Sequence, residues 1–217
     1  MAKMLYQGHG SYRFTLDCGT VVYVDPFAGE GYGLPADLIL VTHEHFDHNQ
    51  VDKMPHRPGC RIVRGSEIAA ALHRARQEGA PFSGNGFETE HRGVSILPVE
   101  ACNKNHPIDE CVGFVLRFDG VLFYASGDTS TTEDMRNGSL ANLHLDYAVF
   151  PVDGFYNMDI EEAGACAKLV QAKHSIPVHM VPMDSPEDPS RLFAPDKADA
   201  FAAPGKIVLR PGDELSL

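Results

Sequence analysis

Residues 36–48 read ADLILVTHEHFDH. An apolar run from Leu38 to Val41 opens directly into a segment holding three histidines and an aspartate within six residues. A short apolar run of this kind predicts a strand buried on both faces. The polar residues that follow it then sit in a loop at the strand's C-terminal end, where an α/β scaffold places its ligand groups. Imidazole and carboxylate are ligands for divalent metal ions, and residues two apart in a loop can turn the same way. His43 and His45 are thus placed to share one ion, with Asp47 and His48 turned towards a second beside it.

Other segments supply partners for this loop. SILPVEA precedes ACNKNHP, which carries His106. VLFYAS precedes GDT, which carries Asp128, and IPV precedes His179. Each is again polar sequence just past a strand-like run. His106 is the candidate third imidazole for the first ion and His179 the second imidazole for the other. Asp128, with two oxygens, is the candidate bridge. A set of histidines and carboxylates without cysteine suits Zn or Mn, and also Fe or Ni, in a hydrolytic site with open positions, rather than Ca. Two divalent ions about 3.5–4 Å apart would share a hydroxide as nucleophile. Of the eleven histidines, His56, His73, His91, His144 and His174 have no such partners and read as surface or satisfied core residues. His9, in GHGSY, reads either as a turn residue or as a contact behind the ligands or to substrate.

The remaining pattern is strands first, then strand–helix units. Tyr12, Phe14 and Leu16 alternate with polar residues, and VVYV stops at Asp25-Pro26. FVLRF and VLFYA flank Asp119-Gly120, a strong two-residue hairpin signal. Ser66 with Glu67 predicts a capped helix running to Gly79. Asp159 with Glu162 is a capping box for a helix over DIEEAGACAKLVQAKH. Prolines 182, 186, 189, 195 and 204 predict an irregular segment over 182–206. This order suits two sheets packed face to face with helices outside, in one domain over 1–217.

Composition excludes some functions. The chain has 217 residues, 43% of them hydrophobic, and a net charge of −12, which argues against a general nucleic-acid binder. No stretch approaches the roughly 18 apolar residues of a membrane span, and MAKMLYQGHG lacks a secretory signature. The five cysteines (18, 60, 102, 111 and 166) are odd in number and scattered, and read as reduced, mostly buried thiols in a cytoplasmic protein.

HEHFDH with His106, SGDT and His179 resembles the metallo-β-lactamase superfamily. GHGSYRF…VVYVDPF and NMDIEEAGACAKLVQAKHSIPVHM are similar to its L-ascorbate-6-phosphate lactonase-like branch, over roughly residues 4–185. The resemblance implies a four-layer αββα sandwich with a dimetal site at one edge of the sheets. It implies His43, His45 and His106 for one ion, Asp47, His48 and His179 for the other, and Asp128 between them. It also gives Asp25 the task of orienting a ligating histidine, against the plainer reading of a turn before Pro26. Asp47 is then a ligand or the proton acceptor, and Asn103 and Lys104 are candidate substrate contacts. No inserted arm of the tRNA-processing relatives is present. The expected activity is a cytoplasmic metal-dependent hydrolase cleaving a phosphodiester, or a lactone or other ester, of a small metabolite. Its expected partner is that small molecule, an anionic one included, with no nucleic acid or membrane and with self-association left open. The competing readings are a metal-binding protein without catalysis and a di-iron redox protein.

Overall fold

The structure is a computed structural model that describes residues 1–182 and 192–217. Two six-stranded sheets face each other. The first runs β12 (Glu214–Ser216), β1 (Lys3–Gly8), β2 (Ser11–Thr15), β3 (Val21–Val24), β4 (Ala36–Val41), β5 (His56–Arg64). The second runs β11 (His174–Val178), β10 (Tyr147–Pro151), β9 (Val121–Ala125), β8 (Val112–Phe118), β7 (Val94–Glu100), β6 (Thr89–His91).

Period-two alternation sorts the side chains between layers. Val22, Val24, Leu38 and Leu40 of the first sheet meet Phe114, Leu116, Phe118 and Phe123 of the second in one shared core. Their neighbours Val21, Tyr23, Ile39 and Val41 face outward under Tyr32 and Met54, which belong to a loop and to the residue capping a 3-10 turn. On the second sheet Val115, Tyr124, Ala148 and Phe150 face outward under α2 (Glu133–Arg136), α3 (Ile160–Val170) and α4 (Pro195–Ala200). The architecture is the expected α/β sandwich of two sheets, with the outer layer over the first sheet made of loop rather than long helix. Helix α1 (Ala69–Gln77) inserts Ala69 and Leu72 into the shared core.

Strand direction decides where the loops go. β3 is parallel to β4, and β9, β10 and β11 are mutually parallel. β1 is antiparallel to β2 and β2 to β3, so β1 runs with β3. β7 likewise runs with β9, through β8. The ends of β1, β3, β4, β7, β9, β10 and β11 are followed by His9, Asp25, His43, His106, Asp128, Asp153 and His179, all delivered to one edge of the sandwich.

Several local expectations hold and others need correction. Asp119 and Gly120 take φ of 47° and 81° in the two-residue turn between β8 and β9, as the hairpin signal predicts. Asp159 caps α3, its Oδ1 accepting from Glu162 N at 2.8 Å. The reciprocal half of the box is missing, because the Glu162 carboxylate accepts from Thr131 N and Oγ1. The helix ends at Val170, before His174, since Gln171 turns left-handed. Ser66 caps nothing: residues 65–67 form a 3-10 turn and its hydroxyl donates to Glu44 Oε1. Pro195 opens α4 at its first turn, where a missing N–H is tolerated, so 192–206 is not wholly irregular. Residues 183–191 lie outside the described residues. Of the cysteines only Cys111 and Cys166 are buried, fewer than expected, and all five are free thiols. Among the described residues no helix is long and apolar enough to cross a membrane.

Phe14 is fully buried with its ring 4.8 Å from Phe123 and 4.9 Å from Phe118. Phe14→Ala is expected to cost about 3–5 kcal/mol of stability, read from a urea titration followed by circular dichroism. Phe155→Ala, at a ring left 62% exposed, should shift it by less than about 0.5 kcal/mol. Equal midpoints for the two variants would contradict this core.

Candidate metal centre

The histidine loop is anchored by a carboxylate beneath it. Asp25, at the end of β3, takes a left-handed φ of 45° and is buried. Its Oδ1 accepts from Thr42 N at 2.7 Å. Its Oδ2 accepts from Thr42 Oγ1 at 2.7 Å and from His48 Nδ1 at 2.9 Å. The Thr42 hydroxyl, its proton given to Asp25, accepts in turn from His43 Nδ1 at 3.0 Å. Both imidazoles are therefore held by Nδ1–H and present Nε2. Asp25 thus stands at the turn before Pro26 and is also hydrogen-bonded to His48.

The same device recurs on the second sheet's side. His106 Nδ1 donates to Asn103 Oδ1 at 2.9 Å. His179 Nδ1 lies 3.1 Å from Asp153 Oδ2, at ion-pair distance though off the line of a hydrogen bond. In the middle stands Asp128, with Oδ2 3.3 Å from both His106 Nε2 and His179 Nε2 and Oδ1 3.5 Å from His48 Nε2. Two ligand clusters result. His43, His45 and His106 form one, and His9, Asp47, His48 and His179 the other; within each, one ligand atom per residue lies within 4.8 Å of the rest. Asp25 is near His43 and His48 as well, but its oxygens are already occupied.

The Nε2 atoms of His43, His48 and His179 are buried without a hydrogen-bond partner. Leaving a buried polar group in this state costs about 1–3 kcal/mol. A divalent ion at each cluster would satisfy these nitrogens, and the donor types are those such ions take. The residues present therefore fit metal ions.

Close packing makes this possible at two glycines. A Cβ on Gly10 would stand 2.8 Å from the His48 ring. One on Gly127, at φ 63°, would stand 2.9 Å from Thr42 Cβ, so SGDT needs its glycine to bring Asp128 against the histidine loop.

The protonation states follow from burial set against neighbouring charge. Burial alone would lower His48, but the Asp128 and Asp25 carboxylates raise it to about 9. Burial and the neighbouring His48 push His43 well below its ordinary value. Burial would raise Asp128, yet His179 and His48 hold it well below the usual carboxylate range. Asp47 is likewise held low, against burial, by its bond from His9. His9 Nε2 lies 3.0 Å from Asp47 Oδ2, and burial and His179 lower its own pKa to about 4, so it donates as a neutral ring. His9 thus belongs to the site and is not a plain turn residue.

The remaining candidates separate. Asn103 turns inward to His106 instead of lining the cavity, and Lys104 is exposed and outside it. The neighbour that does line it is Asn105. Asp153 and Asn157 are site residues that the sequence reading missed. Asp153 follows a buried strand just as Asp25 does, which was the available signal.

Residues 3–179 match the family described as beta-lactamase superfamily domain. A metal-dependent hydrolase of Thermococcus kodakarensis is 30% identical over 234 residues, covering 100% of both chains. These descriptions give the superfamily and not its lactonase-like branch. Igni18, a metallo hydrolase from the archaeon Ignicoccus hospitalis, is similar in fold with a TM-score of 0.66 at 22% identity, over 99% of this chain and 97% of its own. CmlA, a diiron β-hydroxylase of Streptomyces venezuelae, has a TM-score of 0.64 at 14% identity, over 100% of this chain and 54% of its own.

Asp25→Asn removes a charge that holds His48 without touching a ligand atom. Zinc affinity, measured by competition with a chromophoric chelator, is expected to fall about 10–100-fold. His174→Ala, at a ring 5.1 Å from Tyr147 and away from the site, should leave it unchanged. Equal affinities in the two variants would remove Asp25 from the site.

Proposed function

The chain belongs to the beta-lactamase superfamily and is a metal-dependent hydrolase, and on that premise we propose that it cleaves a carboxylic ester or lactone of a small, largely uncharged molecule. His43, His45 and His106 would hold one divalent ion, Asp47, His48 and His179 a second, and Asp128 would lie between them. Zn or Mn suits this donor set. When bound, the ions would lower the pKa of a coordinated water and neutralise charge developing on the carbonyl oxygen.

The observation that favours an ester is the lining of the cavity over these residues. It has a volume of about 480 Å³, within the range of small-molecule sites. Its floor is His45, Asp47, His106, Asp128 and His179, and its rim is Glu44, Phe46, Asn105 and Tyr156. No lysine or arginine lines it among the described residues. Glu44 at the rim is paired with Arg64 at 2.8 Å, so this guanidinium is already engaged. Phe46 and Tyr156 remain 59% and 44% exposed, two aromatic surfaces available to cover an apolar substituent. Among the described lining residues a phosphodiester would find no lysine or arginine to share its charge.

The protein's own contribution is orientation and proton handling. His9 fixes Asp47 Oδ2, and Asp47 stays ionised while facing the cavity. Where it is not taken up as a ligand, it would accept a proton from the attacking water. Each Nδ1 contact keeps its imidazole from rotating, so the donors converge before substrate arrives.

Zn- or Mn-loaded protein is expected to hydrolyse an aryl carboxylic ester and to leave an aryl phosphodiester nearly untouched. His45→Ala should lower the ester rate about 100-fold or more, a barrier raised by about 2.7 kcal/mol. Phosphodiester turnover with the ester silent would reverse the substrate class. Silence on both, with ions at full occupancy, would overturn the ester reading.

A further inference from the structure

We propose that Asn157 is a positioning residue that couples the two metal positions, so that its loss weakens both together; this rests on the two-ion reading above. Asn157 lies in the loop between β10 and α3 and is buried. Its Nδ2 donates to Asp128 Oδ2 at 2.8 Å and to Asp153 Oδ2 at 2.8 Å. Its Oδ1 accepts from Asn103 Nδ2 at 2.9 Å. The two hydrogens of one amide are thus divided between two carboxylates. The reverse orientation would set Oδ1 against both carboxylates and leave Asn103 Nδ2 facing another donor, so the geometry admits one arrangement.

Following the bonds outward, each arm ends on a different cluster. Through Asn103 the amide reaches His106, whose Nδ1 and backbone N both donate to Asn103 Oδ1, at 2.9 and 3.1 Å. Through Asp153 it reaches His179 Nδ1 at 3.1 Å. Directly it holds Asp128, the carboxylate between the clusters. One side chain therefore steadies a ligand of the first ion, a ligand of the second and the group they share.

The loop itself is built to keep Asn157 in place. Asp153 Oδ1 accepts from the backbone N–H of Phe155, Tyr156 and Asn157, at 2.7, 2.6 and 3.2 Å. Asn105 Nδ2 donates to Tyr156 O at 2.9 Å, pinning the loop to the segment that carries His106. Such outer contacts change metal affinity about 10–100-fold when removed, because the ligand then loses its fixed orientation. Ordinarily each acts on one ligand. Here a single amide acts on three, and a buried network of this kind is worth more intact than its separate pairs.

The test is a zinc titration of the full chain against a chromophoric chelator, with the visible spectrum of the Co(II)-loaded protein as a second readout. Asn157→Ala and the apolar near-isostere Asn157→Leu should each weaken both ions about 10–100-fold and alter the whole Co(II) spectrum. Asn103→Ala should weaken one ion and Asp153→Asn the other, each changing part of the spectrum. The melting temperature of the metal-free variants controls for folding. Loss of one ion only in both Asn157 variants, or two unchanged affinities with merely a lower melting temperature, would overturn the coupling while leaving the two-ion reading intact. A wild-type protein that binds one ion alone would overturn the two-ion reading, and the coupling with it.

Discussion

A buried imidazole has two nitrogens and can offer only one of them to an ion. For four histidines of this fold the other nitrogen faces a fixed partner. His43 is held by Thr42, His48 by Asp25, His106 by Asn103 and His179 by Asp153. Each contact is on Nδ1, so each ring turns Nε2 inward. Asp25 carries two of them, one directly and one through the Thr42 hydroxyl, while also accepting the Thr42 N–H. Removing that carboxylate would release both rings at once. The arrangement also demands unfavourable backbone. His9, Asp25 and His179 all take left-handed φ, at 52°, 45° and 47°. Non-glycine residues persist there only where surrounding structure over-determines them.

That surrounding structure is the sandwich. The shared core of aromatic and branched residues fixes the two sheets face to face, and strand direction sends seven loop starts to one edge. The site is then assembled from both sheets: Asp25, His43 and His48 from the first, His106, Asp128, Asp153 and His179 from the second. Neither sheet holds a complete cluster. The packing energy of the core thus becomes positional accuracy at the edge, where a displacement of about 1 Å would separate Nε2 atoms from their shared ligand. Gly127 shows how close the two halves come, since a methyl group there would strike Thr42.

The ligand-type residues were legible because their signal is local. His43, His45, Asp47 and His48 are adjacent in sequence, and Asp128 and His179 each end an apolar run. Strand β4 was legible as a continuous apolar stretch, and the β8–β9 hairpin through Asp119-Gly120. The outer contacts were less so. Asn103 was noticed for its place beside His106, but its inward direction depends on Asn157, which is 54 residues away. Asn157 has no local mark: GFYNMD reads as an ordinary polar turn until Asp153 caps it. Strand β12 was missed because ELS is three residues long and is defined by pairing with β1. The Ser66 cap failed because Glu44 competes for the hydroxyl, a long-range contact that local propensity does not contain. What could be read was local chemistry; what could not was pairing set by the fold.

Charge balance ties the site to its substrate. Four carboxylates stand at or just behind the clusters: Asp25, Asp47, Asp128 and Asp153. Without ions they draw protons onto the imidazoles, so that His48 is raised to about 9 and His179 well above its ordinary value despite burial. Two divalent ions would supply four positive charges against these four negative ones, with the ligating histidines neutral. The Glu44 carboxylate at the rim is already matched by Arg64. The floor would then be close to neutral, whatever the chain's overall charge of −12. A neutral floor between Phe46 and Tyr156 would not favour an anion over a neutral molecule, and gives an apolar substituent somewhere to lie. With ions bound it would still act on one feature, the negative charge developing on a carbonyl oxygen, while the balancing carboxylates stay held by their neighbours. On the proposed reading, an ester that is neutral before reaction and anionic in the transition state would be the substrate on which such a floor discriminates most between the two states.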